Sequence, residues 1–126
     1  MGKASRITYL SRDEIIFINQ EVLNQTGGKQ ATGFILNESS LDYLVEAPKA
    51  CVYQKELYPT LLEKAAIYAF NIIDNHIFLD GNKRTGLLSA FTFLQRNGIA
   101  LSTEVTDDHL VELGFGLAAG KYGYDY

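Results

Sequence analysis

Apolar side chains recur at helical spacing in five stretches of the chain. The first stretch, residues 15–23, presents one apolar face, because its large side chains recur at intervals of three and four residues. Ser11 and Glu14 just before it have the spacing of a capping box, in which each side chain accepts a hydrogen bond from the backbone of the other residue. This pattern predicts an amphipathic helix that starts near Ser11 and ends at Gly27-Gly28.

Two further stretches lie on either side of residues 75–82. Thr60 and Glu63 have the spacing of a second capping box, and the run that follows is apolar nearly all round, which is typical of a helix inside a core. After residue 82 a helical stripe reappears, and Asn97-Gly98 is a typical C-terminal cap. The stripe consists of Leu87, Ala90, Phe91 and Leu94. These two helices should be the central pair of the fold.

The remaining patterns are shorter. A helix over residues 41–45 would start at Asn37 and end at Pro48, and a last helix would run from Thr106 or Asp107 to Gly120. Residues 26–37 are irregular, and the part from residue 32 to residue 36 fits either a short strand or a hairpin. The chain is therefore predicted to be all-α for the most part, with five to six helices.

Composition narrows the class of protein. The 126 residues suit one domain, residues 1–126, and a hydrophobic content of 47% supports one modest core. A net charge of −4 argues against a protein that binds nucleic acid directly. Cys51 is the only cysteine, which excludes an internal disulfide and a thiolate metal cage. The lack of a signal-like or membrane-spanning apolar run leads us to expect a cytoplasmic protein with no membrane partner.

The sequence from His76 to Arg84, here called the motif, concentrates the chemistry of the chain. It reads His-Ile-Phe-Leu-Asp-Gly-Asn-Lys-Arg and joins the two central helices. Gly81 allows a tight turn, and the N–H groups of residues 81–84 would converge in front of the second helix. Lys83 and Arg84 add two full positive charges at the same place. A phosphate group is the natural occupant of such a site.

Asp80 is out of place beside an anion unless a cation lies between them. Mg²⁺ is commonly held by one or two carboxylates together with substrate phosphates, so Asp80 is a candidate metal ligand. His76 is a candidate base, because an imidazole can take a proton at neutral pH. Phe78 should insert into the core and fix the loop. Taken singly, each feature is more often structural: a surface histidine, a simple Asp-Gly turn, a solvated Lys-Arg pair. Their combination is far more specific.

The motif resembles the signature of the Fic/Doc family, in the Doc-type form His-x-Phe-x-Asp-Gly-Asn-Lys-Arg. The resemblance extends over most of the chain, from about residue 9 to residue 120. It implies a compact helical domain with the active loop between two central helices and a short flap hairpin at residues 26–37, which would hold the target protein. Family members transfer part of a nucleotide, usually ATP, to a protein hydroxyl group. Doc-like members are toxins of toxin–antitoxin pairs, and one of them phosphorylates a translation elongation factor.

The resemblance also assigns roles to individual residues. His76 would be the catalytic base, Asp80 would bind Mg²⁺, and Phe78 would anchor the active loop. The nucleotide phosphates would be bound by Gly81, Asn82, Lys83 and Arg84, with Asn82 contributing its side-chain amide.

Departures from the AMP-transferring form of the motif favour phosphate transfer. That form reads His-Pro-Phe-x-Asp/Glu-Gly-Asn-Gly-Arg-x-x-Arg, whereas this chain has Ile77 for proline, Lys83 for the second glycine and Leu87 for the second arginine. A bulky cation at 83 should obstruct the usual nucleotide pose, and Doc-like proteins share this lysine. AMP transfer stays open as the alternative, and a catalytically inactive binding module is a third hypothesis.

Restraint of the activity is expected to come from another chain. Many Fic proteins inhibit themselves through a helix in which a glutamate is followed by glycine or asparagine. No glutamate of this chain is followed by either residue. A separate antitoxin protein is therefore the expected partner, unless activity is too low to need restraint.

Overall fold

Four α-helices make up most of the computed structural model, which describes residues 6–26, 32–99, 112–113 and 116. They are α1 (Arg12–Thr26), α2 (Glu38–Glu46), α3 (Leu61–Asp74) and α4 (Asn82–Arg96). A 3₁₀ turn, Ala47–Lys49, and a small antiparallel hairpin of β1 (Cys51–Val52) and β2 (Lys55–Glu56) lie between α2 and α3. The fold is mainly α, as predicted.

Both predicted capping boxes are present. Glu14 accepts the Ser11 N–H at 2.8 Å, and Ser11 Oγ accepts the Glu14 N–H at 3.1 Å. Thr60 and Glu63 exchange the same two bonds at the start of α3. These bonds satisfy N–H groups that the first turn of a helix leaves without partners, and this explains why both helices begin where the sequence indicates.

The core forms around α3, the helix predicted to be central. Its residues 64–69 are all buried, and α4 lies directly against it. Gly86 allows this close approach, since a Cβ atom there would lie 3.0 Å from both the Ala69 carbonyl oxygen and Ile73 Cγ1. The loop between these two helices is therefore held at both ends by tightly packed elements.

The 51–56 hairpin was not predicted from the sequence. Its strands have only two residues each, and its turn uses Tyr53 and Gln54 at positive φ, without the glycine or asparagine that usually marks such a turn. Lys64 of α3 fastens it to the core. This buried ammonium group donates to Glu56 Oε1 at 2.6 Å and to the Pro48 carbonyl at 2.9 Å.

Parts of the predicted pattern fall outside the described residues. They include the Gly27-Gly28 stop after α1 and most of the last helix, although residues 112, 113 and 116 are helical and Leu113 packs against the core. Within the described ranges, no helix is both long and apolar enough to cross a bilayer.

Glu14 should make the stability of the fold depend on pH. Its pKa is lowered, first by the hydrogen bond from the Ser11 backbone N–H and then by Arg96, with which it forms an ion pair, while burial opposes the shift. A lowered pKa stabilises the fold above the ordinary value of 4.5, and this stabilisation is lost as the pH falls through the lower folded value.

We therefore expect Glu14→Gln, which keeps the capping geometry but removes the charge, to lower the free energy of unfolding at pH 7. The expected loss is about 0.5 kcal/mol, because the side chain is partly exposed and screened by solvent. Urea unfolding at pH 7 and pH 3 measures it, with Glu21→Gln on the exposed side of α1 as the control. A Glu14→Gln loss of equal size at pH 3 would contradict the electrostatic explanation.

Candidate active site

The motif starts at the end of α3 with an unusual backbone conformation. Asn75 is the C-cap residue of α3, and His76 follows it with φ at +48°, in the left-handed region. Histidine is among the few residue types other than glycine that are enriched there. The turn follows α3 directly and leaves the His76 side chain exposed to solvent.

The middle of the motif is anchored in the core. Ile77 and Phe78 are both fully buried. Asn82, the first residue of α4, holds the Phe78 main chain from both sides. Its Oδ1 accepts the Phe78 N–H at 2.9 Å, and its Nδ2 donates to the Phe78 carbonyl at 2.8 Å. The Asn82 amide thus closes the loop, a role that the sequence did not suggest.

Gly81 is the N-cap of α4 and meets two local constraints. Its φ is +76°, and a Cβ atom there would lie 3.0 Å from Leu23 Cδ2 of α1. Its N–H donates to Asp80 Oδ1 at 2.8 Å, so in this structure it faces the neighbouring carboxylate rather than open space. The N–H groups of Asn82, Lys83 and Arg84 belong to the first turn of α4, where helix geometry provides no acceptor.

The start of α4 is strongly positive. Lys83 and Arg84 are exposed, and the first turn of the helix contains no acidic residue. The ion pairs found within residues 6–26 and 32–99 all join other side chains. Cations near the positive end of a helix dipole are unfavourable without an anion. This arrangement is therefore well suited to a phosphate ligand.

A preformed metal cage is absent from the part of the chain that the structure describes. No group of three or more histidine, cysteine, aspartate or glutamate side chains is placed there to hold a metal ion. The Asp80 carboxylate is exposed and lies next to the positively charged start of α4. One carboxylate is enough for Mg²⁺ that arrives with nucleotide phosphates, because the metal keeps several waters. The residues present fit such a shared metal.

The described part of the predicted flap, residues 32–37, is here called the flap segment, and it runs directly alongside the motif. Ile77 O accepts the N–H groups of Leu36 at 2.8 Å and Asn37 at 3.1 Å, and Phe34 O accepts the Leu79 N–H at 3.0 Å. Ile35 and Phe78 form an antiparallel bridge. The segment thus pairs with the motif, and residues 27–31 of the predicted flap hairpin lie outside the described ranges.

Two asparagines have functions here that the helical pattern did not indicate. Asn37 stands at the N-cap of α2 without capping it through its side chain, and its Nδ2 donates instead to the Asn75 carbonyl at 3.4 Å. Asn19 of α1 is fully buried and bonds to Asp80 and Gly33, on both sides of the site. The sequence offers one indication that Asn19 is buried and hydrogen-bonded: it is a polar residue within the apolar stripe of its helix.

Comparison with known proteins identifies a family and two relatives of the chain. The model of the Fic/DOC family matches residues 9–94. The chain is 35% identical to "Toxin Doc" of Mycolicibacterium smegmatis over 83% of its own length and 76% of that protein. It is 31% identical to "Protein kinase doc" of Escherichia phage P1 over 90% of its own length and 84% of that protein. No solved structure matches the chain significantly.

Proposed function

Because this chain belongs to the Fic/Doc family, we propose that it is a Doc-type toxin, a kinase that transfers the terminal phosphate of ATP to a hydroxyl group of a target protein. The observation that carries the proposal is the start of α4, where Lys83 and Arg84 lie exposed without an acidic partner in their turn. Exposed His76 lies at the opposite end of the same loop.

Two parts of the motif would carry the reaction: a base and an anion site. His76 takes the proton of the target hydroxyl while its oxygen attacks the terminal phosphorus. The bond from that phosphorus to the bridging oxygen breaks, and ADP leaves with the electron pair. The first N–H groups of α4, with Lys83 and Arg84, stabilise the charge on the transferred group. Such reactions depend mainly on positioning and electrostatic stabilisation.

The nucleotide would be held by the second half of the motif. Gly81, Asn82, Lys83 and Arg84 would bind its phosphates, and Asp80 would bind Mg²⁺. The metal, when bound, neutralises phosphate charge. Because the Asp80 carboxylate accepts the Gly81 N–H in this structure, binding of a phosphate to that N–H would require the carboxylate to release it.

Two positions favour phosphate transfer over AMP transfer. Lys83 places a long cation at the helix start where AMP transferases have a glycine. Leu87, at the position of their second arginine, is buried in the core cluster. Leucine has no charged group, so this chain lacks a phosphate clamp at that position.

The target would be bound along the flap segment. Phe34 O and Leu36 N–H face the motif, so the N–H and C=O of Ile35 face the opposite edge by the alternation of an extended strand. An extended target segment can add to such an edge through main-chain hydrogen bonds. Exposed Phe34, Leu36 and Leu79 provide apolar contacts beside it. A translation elongation factor is our candidate target, which places the activity in the cytoplasm.

An antitoxin protein would restrain the enzyme in the cell. The toxin relative suggests this partner, and the chain has no glutamate followed by glycine or asparagine to inhibit itself. Rescue of growth by a small protein encoded beside the gene would identify it.

Intact-mass analysis of the target tests the proposed chemistry. The purified protein is incubated with ATP, Mg²⁺ and an elongation factor, and a mass increase of one phosphate is expected. An increase of one AMP would overturn the kinase proposal in favour of AMP transfer. An unchanged mass for every translation factor tried, with folded protein, would favour the inactive module. Reactions without ATP control for prior modification.

A further inference from the structure

We infer that Asn19 is a positioning residue that fixes the motif loop and the flap segment relative to each other. Its kinetic consequence rests on the proposed function, while the structural consequence can be measured without any activity. The residue lies in the middle of α1, outside the motif, and it is fully buried.

The Asn19 side chain bonds to three separate elements. Its Oδ1 accepts the Gly33 N–H of the flap segment at 2.9 Å. Its Nδ2 donates to the Asp80 carbonyl at 3.0 Å and to Thr85 Oγ1 of α4 at 3.0 Å. An amide group has one carbonyl oxygen and two N–H donors, so this side chain uses all of its polar groups. Fully satisfied buried polar networks impose a specific arrangement on the elements they join.

The bond to Asp80 acts on the anion site. The Asp80 carbonyl belongs to the Asp80–Gly81 peptide, whose N–H is turned to the Asp80 carboxylate. Holding the carbonyl toward α1 therefore fixes the direction of that N–H at the start of α4. Asn19 Nδ2 also lies 3.5 Å from the place a Cβ atom of residue 81 would occupy, so α1 shapes this turn by packing too.

The bond to Gly33 holds the flap segment, along which the target protein would bind. Gly33 has φ at +67° and directly precedes Phe34, whose carbonyl accepts the Leu79 N–H of the motif. One amide group thus holds the beginning of the flap segment and the end of the motif loop. Loss of this group should loosen both at once, whereas loss of an ordinary core contact between α1 and α4 should not.

Three variants separate these effects. Asn19→Ala removes all three bonds. Asn19→Asp has nearly the same shape and keeps an acceptor for Gly33, but it loses the donors to Asp80 and Thr85. Thr85→Val is the matched control, because it removes only the bond between α1 and α4 and leaves Asn19 bonded to both loops. Thermal unfolding confirms that each variant is folded.

Amide hydrogen exchange of the free protein is the first measurement. Asn19→Ala should speed exchange at Gly33 and Gly81 by at least about fivefold, Asn19→Asp should do so mainly at Gly81, and Thr85→Val should change neither. Equal acceleration in Asn19→Ala and Thr85→Val would show that Asn19 only joins the two helices and would overturn the inference. If Asn19→Ala does not fold, the exchange rates of Asn19→Asp and Thr85→Val are compared instead, and equal rates at Gly81 would overturn the inference.

Kinetics provide the second measurement. Asn19→Asp should lower kcat about tenfold or more while the KM for the target stays nearly constant, and Asn19→Ala should also raise that KM. Unchanged kinetic constants in both variants would overturn the inference even if exchange changed. Absence of transfer by the wild-type protein would count against the proposed function alone, because the exchange result stands independently.

Discussion

His76→Asn should reduce phosphate transfer by roughly 100- to 10,000-fold, the usual contribution of a general base. Asparagine also tolerates the left-handed backbone of residue 76, so the loop should keep its shape and the loss should reflect chemistry. Initial rates of target phosphorylation, measured with saturating ATP and Mg²⁺, provide the number. We expect kcat to fall, since removal of a base affects the transition state more than the binding of substrate.

The matched control is the other histidine, His109, which lies outside the motif in the sequence. His109→Asn makes the same chemical change and should leave the rate within a few-fold of wild type. In bacteria, expression of the wild-type protein should arrest growth, and His76→Asn should abolish the arrest. Transfer at the wild-type rate by folded His76→Asn protein would remove His76 as the base.

The helices were predictable because their signals are local. Capping boxes at Ser11 and Thr60 and apolar stripes at helical spacing depend only on neighbours in sequence. α1, α3 and α4 begin close to the predicted residues, and α3 and α4 also end close to them. The same holds for the motif, in which a glycine turn and the start of a helix follow each other within a few positions. The tertiary contacts that hold the motif in place could not be predicted from neighbouring residues.

The contacts that support the site join residues far apart in sequence. Asn19 lies 61 positions from Asp80, and nothing beside Asn19 in the chain shows what it will meet. A polar residue within the stripe of Ile15, Ile18 and Val22 indicated only that α1 has a buried hydrogen-bonding position. The pairing of Ile35 with Phe78 and the attachment of the 51–56 hairpin by Lys64 depend equally on tertiary structure.

The Asn82 amide also shows that tertiary hydrogen bonds cannot be predicted from local sequence. Its position in the motif suggested a group that faces the phosphate, whereas the structure engages its Oδ1 and Nδ2 with the Phe78 main chain. The carboxamide has a second N–H, so closing the loop and binding an anion do not exclude each other. The sequence indicates which residue types meet at the helix start, and the fold decides which of their atoms are already bonded.

Phe78→Ala should destabilise the protein by about 3–5 kcal/mol, because it removes a fully buried aromatic ring and leaves a cavity. This is a large share of the roughly 5–15 kcal/mol that stabilises a typical domain. For a domain of this size, the melting temperature should fall by on the order of 10–20 °C. Urea unfolding at neutral pH measures the change in free energy directly.

The same substitution should impair transfer in the fraction of molecules that remain folded. Phe78 connects the exposed motif residues to the core. Its N–H donates to the Asn82 amide, its carbonyl accepts from the same amide, and the residue also forms the bridge to Ile35. Phe17→Ala, which truncates an exposed ring of α1, is the control and should cost less than about 1 kcal/mol. If Phe78→Ala were no more destabilising than Phe17→Ala, the loop would not depend on the core for its shape, and its preorganisation would have to come from its hydrogen bonds to Asn82, Asn19 and the flap segment.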